Sequence, residues 1–295
     1  MKCILCDNVE YEIVYDGIIR SGSPGKLTKD SHQIIKCTSC GITKIKEFPK
    51  IDYDSGKYRL EYNDSLSIKD YYNNHDAEQN DRISRIGIQN FRDKIVLDYG
   101  CGGGSFLDSI KGFAKKTIGV EPNIKYSDSL ISKGHEVFKS IEECENFYGN
   151  IDIVISFGVI EHIENPLDYL KSSFDLLKPG GRLYLETDNL DDVLFQFNIT
   201  NFNSFYFRTV HNWYFDKNSL KSLGEKAGFS NVKTGFRHGY GLSNTMNWIN
   251  EKSPKGYAQL PFINESLDYH WKKNLEKEGM AELLYFVLQK WKIKL

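Results

Sequence analysis

Two histidines, four paired cysteines and a glycine-rich turn answered by a glutamate carry the chemistry open to this chain. His162 follows Val159-Ile160-Glu161, and His211 opens the run Val210-His211-Asn212-Trp213-Tyr214-Phe215. An imidazole titrates near neutrality, so either ring is a candidate to take a proton from a reacting group. Cys3 and Cys6, then Cys37 and Cys40, form two pairs with two residues inside each pair and 30 between the pairs. Such a pair lets two thiolates reach one ion from a single turn, and two pairs complete a tetrahedral zinc site. A disulfide framework is disfavoured in a reducing compartment, and Gly41 suits the tight turn after the second pair. Metal binding would hold the module together without much core, with a hairpin near residues 11–15 and 33–36.

The third feature is the stretch Ile95-Val96-Leu97-Asp98-Tyr99-Gly100-Cys101-Gly102-Gly103-Gly104-Ser105-Phe106, followed by Val120-Glu121. An apolar run that fits a buried strand ends in glycines, where main chain can approach a ligand closely and adopt positive φ. Glu121 then falls where the tip of a neighbouring strand presents a carboxylate to ribose hydroxyls. A dinucleotide fingerprint needs glycine at its first, third and sixth positions, and counting from Gly100 the sixth is Ser105. Asp98, two residues before the turn, would also repel a pyrophosphate docked on the next helix. S-adenosylmethionine has no phosphate and carries a sulfonium and an ammonium, so the charge balance favours that methyl donor.

These groups need a scaffold, and the pattern supplies one. Strands are expected at 95–99, 117–121, 136–138, 151–157 and 182–187, with helices near 106–115, 124–133, 166–177 and 217–228. Alternating strands and helices imply an α/β fold with a parallel sheet covered on both faces, whose ligands gather at the carboxyl ends of the strands. A strand near 232–236 and an apolar tail at 282–289, read as a strand, follow.

Leu97-Asp98-Tyr99-Gly100-Cys101-Gly102-Gly103-Gly104, Gly119-Val120-Glu121-Pro122, Val159-Ile160-Glu161-His162 and Leu177-Lys178-Pro179-Gly180-Gly181 resemble the successive motifs of class I S-adenosylmethionine-dependent methyltransferases. The resemblance implies a Rossmann-like seven-stranded sheet whose last strand is antiparallel. It also implies that Gly100, Gly102 and Gly104 meet the methionine moiety, with Cys101 a small filler beside it. Asp98 would orient the ammonium, Glu121 would bind ribose, and Ser140 and Phe157 would complete the pocket, Ser140 with Ile141 bordering adenine. The histidine followed by aromatics resembles methyltransferases acting on sugars, including some with an N-terminal zinc module. In some of those the histidine is a base preceded by glutamate; here Val210 stands in that place, so a carboxylate partner is not evident.

On this reading, residues 1–50 form the zinc module and 51–92 a helical arm in which Tyr58 and Arg59 reach the donor beside Tyr62, Tyr71 and Tyr72. Residues 93–238 form the core, and 239–295 a substrate cap with the last strand. The aromatic stretch 195–215 is expected to pack a lid and offer a stacking face. Asp188 and Asn189 are surface caps or acceptor contacts. Apolar residues make up 40% of the chain and charged residues 26%, with a net charge of −2, as expected for a globular protein lacking a basic field for nucleic acid. No apolar run suggests a membrane span, and the first ten residues lack the apolar stretch of a signal peptide. The expected partner is a sugar-derived small molecule, met in the cytoplasm. The rival readings are a zinc-ribbon RNA methyltransferase, which needs a basic face on residues 1–50, and a catalytically silent cofactor-binding protein.

Overall fold

The structure is a computed structural model that describes residues 2–61 and 67–291, with backbone alone at 231 and 232; Tyr62 lies outside these residues. The chain opens with β1 (Tyr11–Gly17), β2 (His32–Cys37), β3 (Thr43–Ile45), α1 (Lys57–Glu61) and α2 (Ile68–Ile86). Its middle holds β4 (Ile95–Tyr99), α3 (Ser105–Ile110), β5 (Lys116–Val120), α4 (Ser127–Ser132), β6 (Glu136–Phe138), β7 (Ile151–Phe157), α5 (Pro166–Leu176) and β8 (Leu177–Asp188). It closes with α6 (Phe202–Tyr206), β9 (Trp213–Tyr214), α7 (Lys217–Lys226), β10 (Ser230–Arg237), α8 (Leu242–Glu251), α9 (Glu265–Glu278) and β11 (Leu283–Gln289).

Seven strands form the main sheet in the order β10-β11-β8-β7-β4-β5-β6. The five strands from β6 to β8 run parallel, and β11 lies antiparallel to both neighbours. β4 and β7 read as near-continuous apolar runs because helices cover both faces; Val96, Leu97, Val154 and Ile155 are fully buried. Local signals start the helices. Pro166 opens α5 after Asn165, whose side chain accepts from Asp168 N, and Asp216 and Ser219 form a capping box at α7. Both helices bury leucines against the sheet, among them Leu170, Leu176, Leu220 and Leu223.

A second, antiparallel sheet has the order β1-β2-β3-β9, so its fourth strand comes from the segment that also carries His211. Ile19, Ile34 and Ile45 pack there with Phe202, Tyr206, Phe207, Tyr214 and Trp248 of α8. The aromatic stretch is thus chiefly the core of this lid. Asn189 differs from its expected surface place. Its fully buried amide donates to Gly279 O and Ala281 O, at 3.0 and 2.7 Å, tying the end of β8 to the end of the α8–α9 excursion.

Helix α2 is clamped to the sheet through Glu186 on β8. Arg82 donates to Glu186 Oε1 at 2.8 and 3.0 Å, and Arg237 donates to both carboxylate oxygens at 3.0 and 3.1 Å. The carboxylate is 4% exposed; burial opposes its charge, but the two guanidinium groups hold it below the ordinary glutamate range. Removing one member of a buried ion cluster strands the others. Glu186→Ala is therefore expected to lower unfolding free energy by roughly 3–5 kcal/mol in urea titrations, and a loss within experimental error would contradict this role.

Candidate active site

The glycine turn after β4 closes against Val120 and Glu121. Gly100 N donates to Val120 O at 2.8 Å, and Gly102 N donates to Glu121 Oε2 at 2.8 Å. Asn123 N donates to the other oxygen, Oε1, at 3.0 Å, so one buried carboxylate grips the loops after two adjacent strands. Burial raises the Glu121 pKa, while Arg59 and the two amides oppose the rise. Gly100 has φ +81 and Gly102 φ +53, and a Cβ on either would collide with Val159 or with the Tyr71 hydroxyl at 2.5 Å. The arm reaches across the same turn, Tyr71 and Tyr72 donating to Cys101 O and Gly103 O.

Beside the turn lies a cleft of about 350 Å³, bordered by Gly100, Glu121, Ser140, Ile141, Val159 and His162, with Tyr53, Tyr58 and Arg59 from the arm. Other expected cofactor residues do not border this cleft. Asp98 is buried within β4 and pushed up to about 7 by burial, Arg82 pulling it down and Glu121 adding to the rise. Cys101 is buried against Gly119, its thiol raised by burial, which leaves it inert. Gly102 lies under Tyr71, and Gly104 is the left-handed residue before α3, packed on Leu130. Phe157 packs with Phe106 at 5.3 Å and under the Arg82 guanidinium, 4.7 Å over its ring. Sequence reasoning missed Tyr53, which donates to Val210 O at 3.2 Å and stacks edgewise on Tyr58; its only signal was membership of an aromatic segment.

His162 and His211 come together, their rings perpendicular with centroids 4.7 Å apart. His162 Nδ1 lies 2.6 Å from Val210 O, a contact that makes Nδ1 the protonated nitrogen and leaves Nε2 as the acceptor in the neutral ring. Burial, with the charge of Arg208, takes His162 down to about 4 despite the carbonyl contact. His211 is held well below 6.5 by burial, Arg208 and His162, which corrects the expectation of an ordinary imidazole. A carboxylate missing from the local sequence approaches from the end of β8: Asp188 Oδ2, ion-paired with Arg208, stands 3.5 Å from His211 Nδ1, which makes no hydrogen bond among the described residues. Glu161 accepts from Thr187 Oγ1 at 2.8 Å and is pushed up to about 8 by burial and Asp188.

Behind Asp188 opens a second cavity of about 430 Å³ between the α8–α9 cap and the strand ends, bordered by Arg208, Asp192, His238, Trp248 and Glu282 among others. His162 borders the first chamber and the Asp188–Arg208 pair the second, while His211, buried and bordering neither, lies against His162 on one side and Asp188 on the other.

The four paired cysteines converge. Cys3 and Cys40 sulfurs are 3.5 Å apart and Cys6 and Cys37 sulfurs 3.6 Å apart, all four within 4.8 Å of one another. Bonds of about 2.3 Å to a tetrahedral ion place sulfurs roughly 3.8 Å apart, so the cluster fits one such ion. Glu161, His162 and His211 also bring one possible ligand atom each within that distance; His162 Nδ1 and Glu161 Oε2 are bonded within the protein, which leaves His162 Nε2 and Glu161 Oε1.

A seven-stranded sheet with its ligand cleft at the strand tips defines the α/β class of S-adenosylmethionine-dependent methyltransferases. The profile of the family described as "Methyltransferase domain" matches residues 71–234, and the chain belongs to that family. A SAM-dependent methyltransferase from Archaeoglobus fulgidus shares the fold with a TM-score of 0.52 and 20% identity, over 81% of this chain and 100% of that one. A tRNA U34 carboxymethyltransferase of Hydrogenovibrio crunogenus is 30% identical over 52% of this chain and 49% of its own length. A ubiquinone biosynthesis O-methyltransferase of Ruegeria pomeroyi is 29% identical over 32% and 41%. The chain spans about half the length, or less, of these curated relatives. No helix among the described residues is long and apolar enough to cross a membrane.

Since Glu121 holds the turn closed, Glu121→Ala is expected to weaken S-adenosylhomocysteine binding at least about tenfold by calorimetry, the worth of one charge-assisted hydrogen bond. An unchanged affinity would remove Glu121 from the site.

Proposed function

We propose that the chain transfers a methyl group from S-adenosylmethionine to a hydroxyl oxygen of a polar small molecule, a nucleotide-activated sugar or glycan building block. The observation that carries this reading is the contact series His162, His211, Asp188, whose first member borders the cleft at the glycine turn and whose last borders the polar cavity under the cap. When bound, the donor supplies an electrophilic methyl carbon; the protein's tasks are alignment and removal of the acceptor's proton. The Gly100 main chain and Glu121 would hold the donor, with Ser140 at its adenine end and the arm of residues 51–92 closing over it.

His211 is the proposed general base. It is neutral at rest because of burial, and a neutral imidazole can accept a proton. The nearby Asp188 carboxylate would then steady the imidazolium. His162, with Nε2 available beside the cleft, would position the hydroxyl or share the proton.

The charge on residues 1–50 supports a small acceptor over RNA. Eight basic residues face six acidic ones there, but Arg20 and Lys44 are buried at 7% and 5% exposure, which leaves six against six. The cysteine cluster is proposed to hold structural zinc: softness favours zinc for four thiolates, and the knuckles are anchored to the core by Lys226, which donates to Ile4 O and Leu5 O. Four reduced thiolates also suit a cytoplasmic setting.

Turnover is measured as S-adenosylhomocysteine release across a panel of nucleotide sugars. His211→Ala is expected to lower kcat by roughly 10²–10⁴ with donor affinity unchanged. Because the base must be neutral and burial lowers its pKa, the acid limb of kcat/KM in the parent enzyme should fall well below pH 6.5. Turnover with tRNA and none with the panel would overturn the acceptor assignment. Metal analysis should find one zinc ion per chain, lost in the Cys37→Ser, Cys40→Ser double variant; a metal-free, fully folded parent protein would refute the zinc assignment.

A further inference from the structure

The cavity under the cap has a feature that the proposed methyl transfer does not itself use. His238, at the end of β10, is 6% exposed and borders the cavity. Its Nδ1 accepts from Glu282 N at 3.1 Å, so in the neutral ring the proton sits on Nε2. That Nε2–H is buried and has no hydrogen-bond partner among the described residues. A buried donor left in this state is destabilising, and a ligand oxygen would relieve it.

Four carboxyls border the same space; Asp188 is paired with Arg208 and Glu78 with Arg82, which leaves Asp192 and Glu282. Asp192 uses Oδ1 to accept from Leu194 N at 2.8 Å, and Glu282 uses Oε1 to accept from Gly239 N at 3.0 Å, which engages one oxygen of each. Burial pushes them up to about 7 and about 8, so near neutrality each can donate as well as accept. The cavity's cations are engaged with the protein: Arg208 with Asp188, Arg237 with Glu186, and Arg20 over the Phe205 ring at 4.4 Å. At the rim Tyr257, 78% exposed, stacks on Tyr240 at 5.2 Å, presenting an aromatic face.

A chamber with a neutral imidazole donor, four carboxyls and an aromatic rim, two of its three cations ion-paired and the third over an aromatic ring, suits hydroxyl groups better than a phosphate. We infer that this cavity seats the uncharged polyhydroxyl ring of the acceptor, with His238 Nε2 donating to one hydroxyl and Asp192 and Glu282 bonding its neighbours. Any charged part of the acceptor stays outside, beyond the Tyr257 rim. This inference rests on the reading of a hydroxyl acceptor given above and assigns His238 as the residue that selects it.

The test uses the full zinc-loaded chain labelled with [¹⁵N]histidine and saturated with S-adenosylhomocysteine. D-glucose serves as the polyol probe and inorganic phosphate as the anion probe. Glucose should shift the His238 Nε2–H resonance saturably, and phosphate should not. His238→Phe should weaken glucose binding at least about tenfold, as loss of a hydrogen bond to a buried donor implies, while His238→Gln, which keeps an N–H donor, stays close to the parent. No saturable shift with glucose, a shift with phosphate alone, or unchanged binding by His238→Phe overturns the inference. Calorimetry of S-adenosylhomocysteine separates the two levels: lost donor binding sinks the methyl-transfer reading, whereas intact donor binding without a glucose response sinks only the role of His238.

Discussion

A single buried carboxylate sets the geometry on which the rest of the site depends. Glu121 accepts from Gly102 N and Asn123 N, and so fastens the loop after β4 to the loop after β5. Glycine at positions 100 and 102 is what allows the first loop to come this close, since each has positive φ and each lies against a neighbour that a side chain would strike. Two adjacent parallel strands ending in loops held this way leave a crevice at their carboxyl tips, where open α/β sheets bind ligands. The arm lines that crevice, and the lid and the cap border the second cavity beyond the histidines.

Burial then decides the protonation of nearly every group near the proposed reaction centre. It keeps His162 and His211 neutral and raises Glu161, while Arg208 and Asp188 remain as a paired charge next to the rings. Taken together, this is a region of low dielectric with one charge pair, in which a proton arriving on an imidazole meets Asp188 rather than water. Such an environment makes the two histidines more suitable as proton acceptors than as permanent cations.

Much of the scaffold was legible because its signals are local. The apolar runs of β4 and β7, the Asn165–Pro166 start of α5 and the paired cysteine spacing are each contained within a few residues. The contacts that shape the site are not. Asp188 reaches His211 across 23 positions of sequence, and Arg59 approaches Glu121 from an arm with no pattern of its own. β9 contributes only two residues to the small sheet, too short for a period to register. The resemblance places Asp98, from its motif, and Phe157, from the end of a strand, at the cofactor. Alternation along a strand decides which way such side chains point, and neither borders the cleft, which Gly158 and Val159 help to line.

The most direct test of this account is a crystal structure of the protein with S-adenosylhomocysteine. The ribose is expected against Glu121, the amino-acid moiety along the Gly100 turn and the sulfur facing His162. A ligand seated elsewhere, or an empty cleft at saturating ligand, would contradict it.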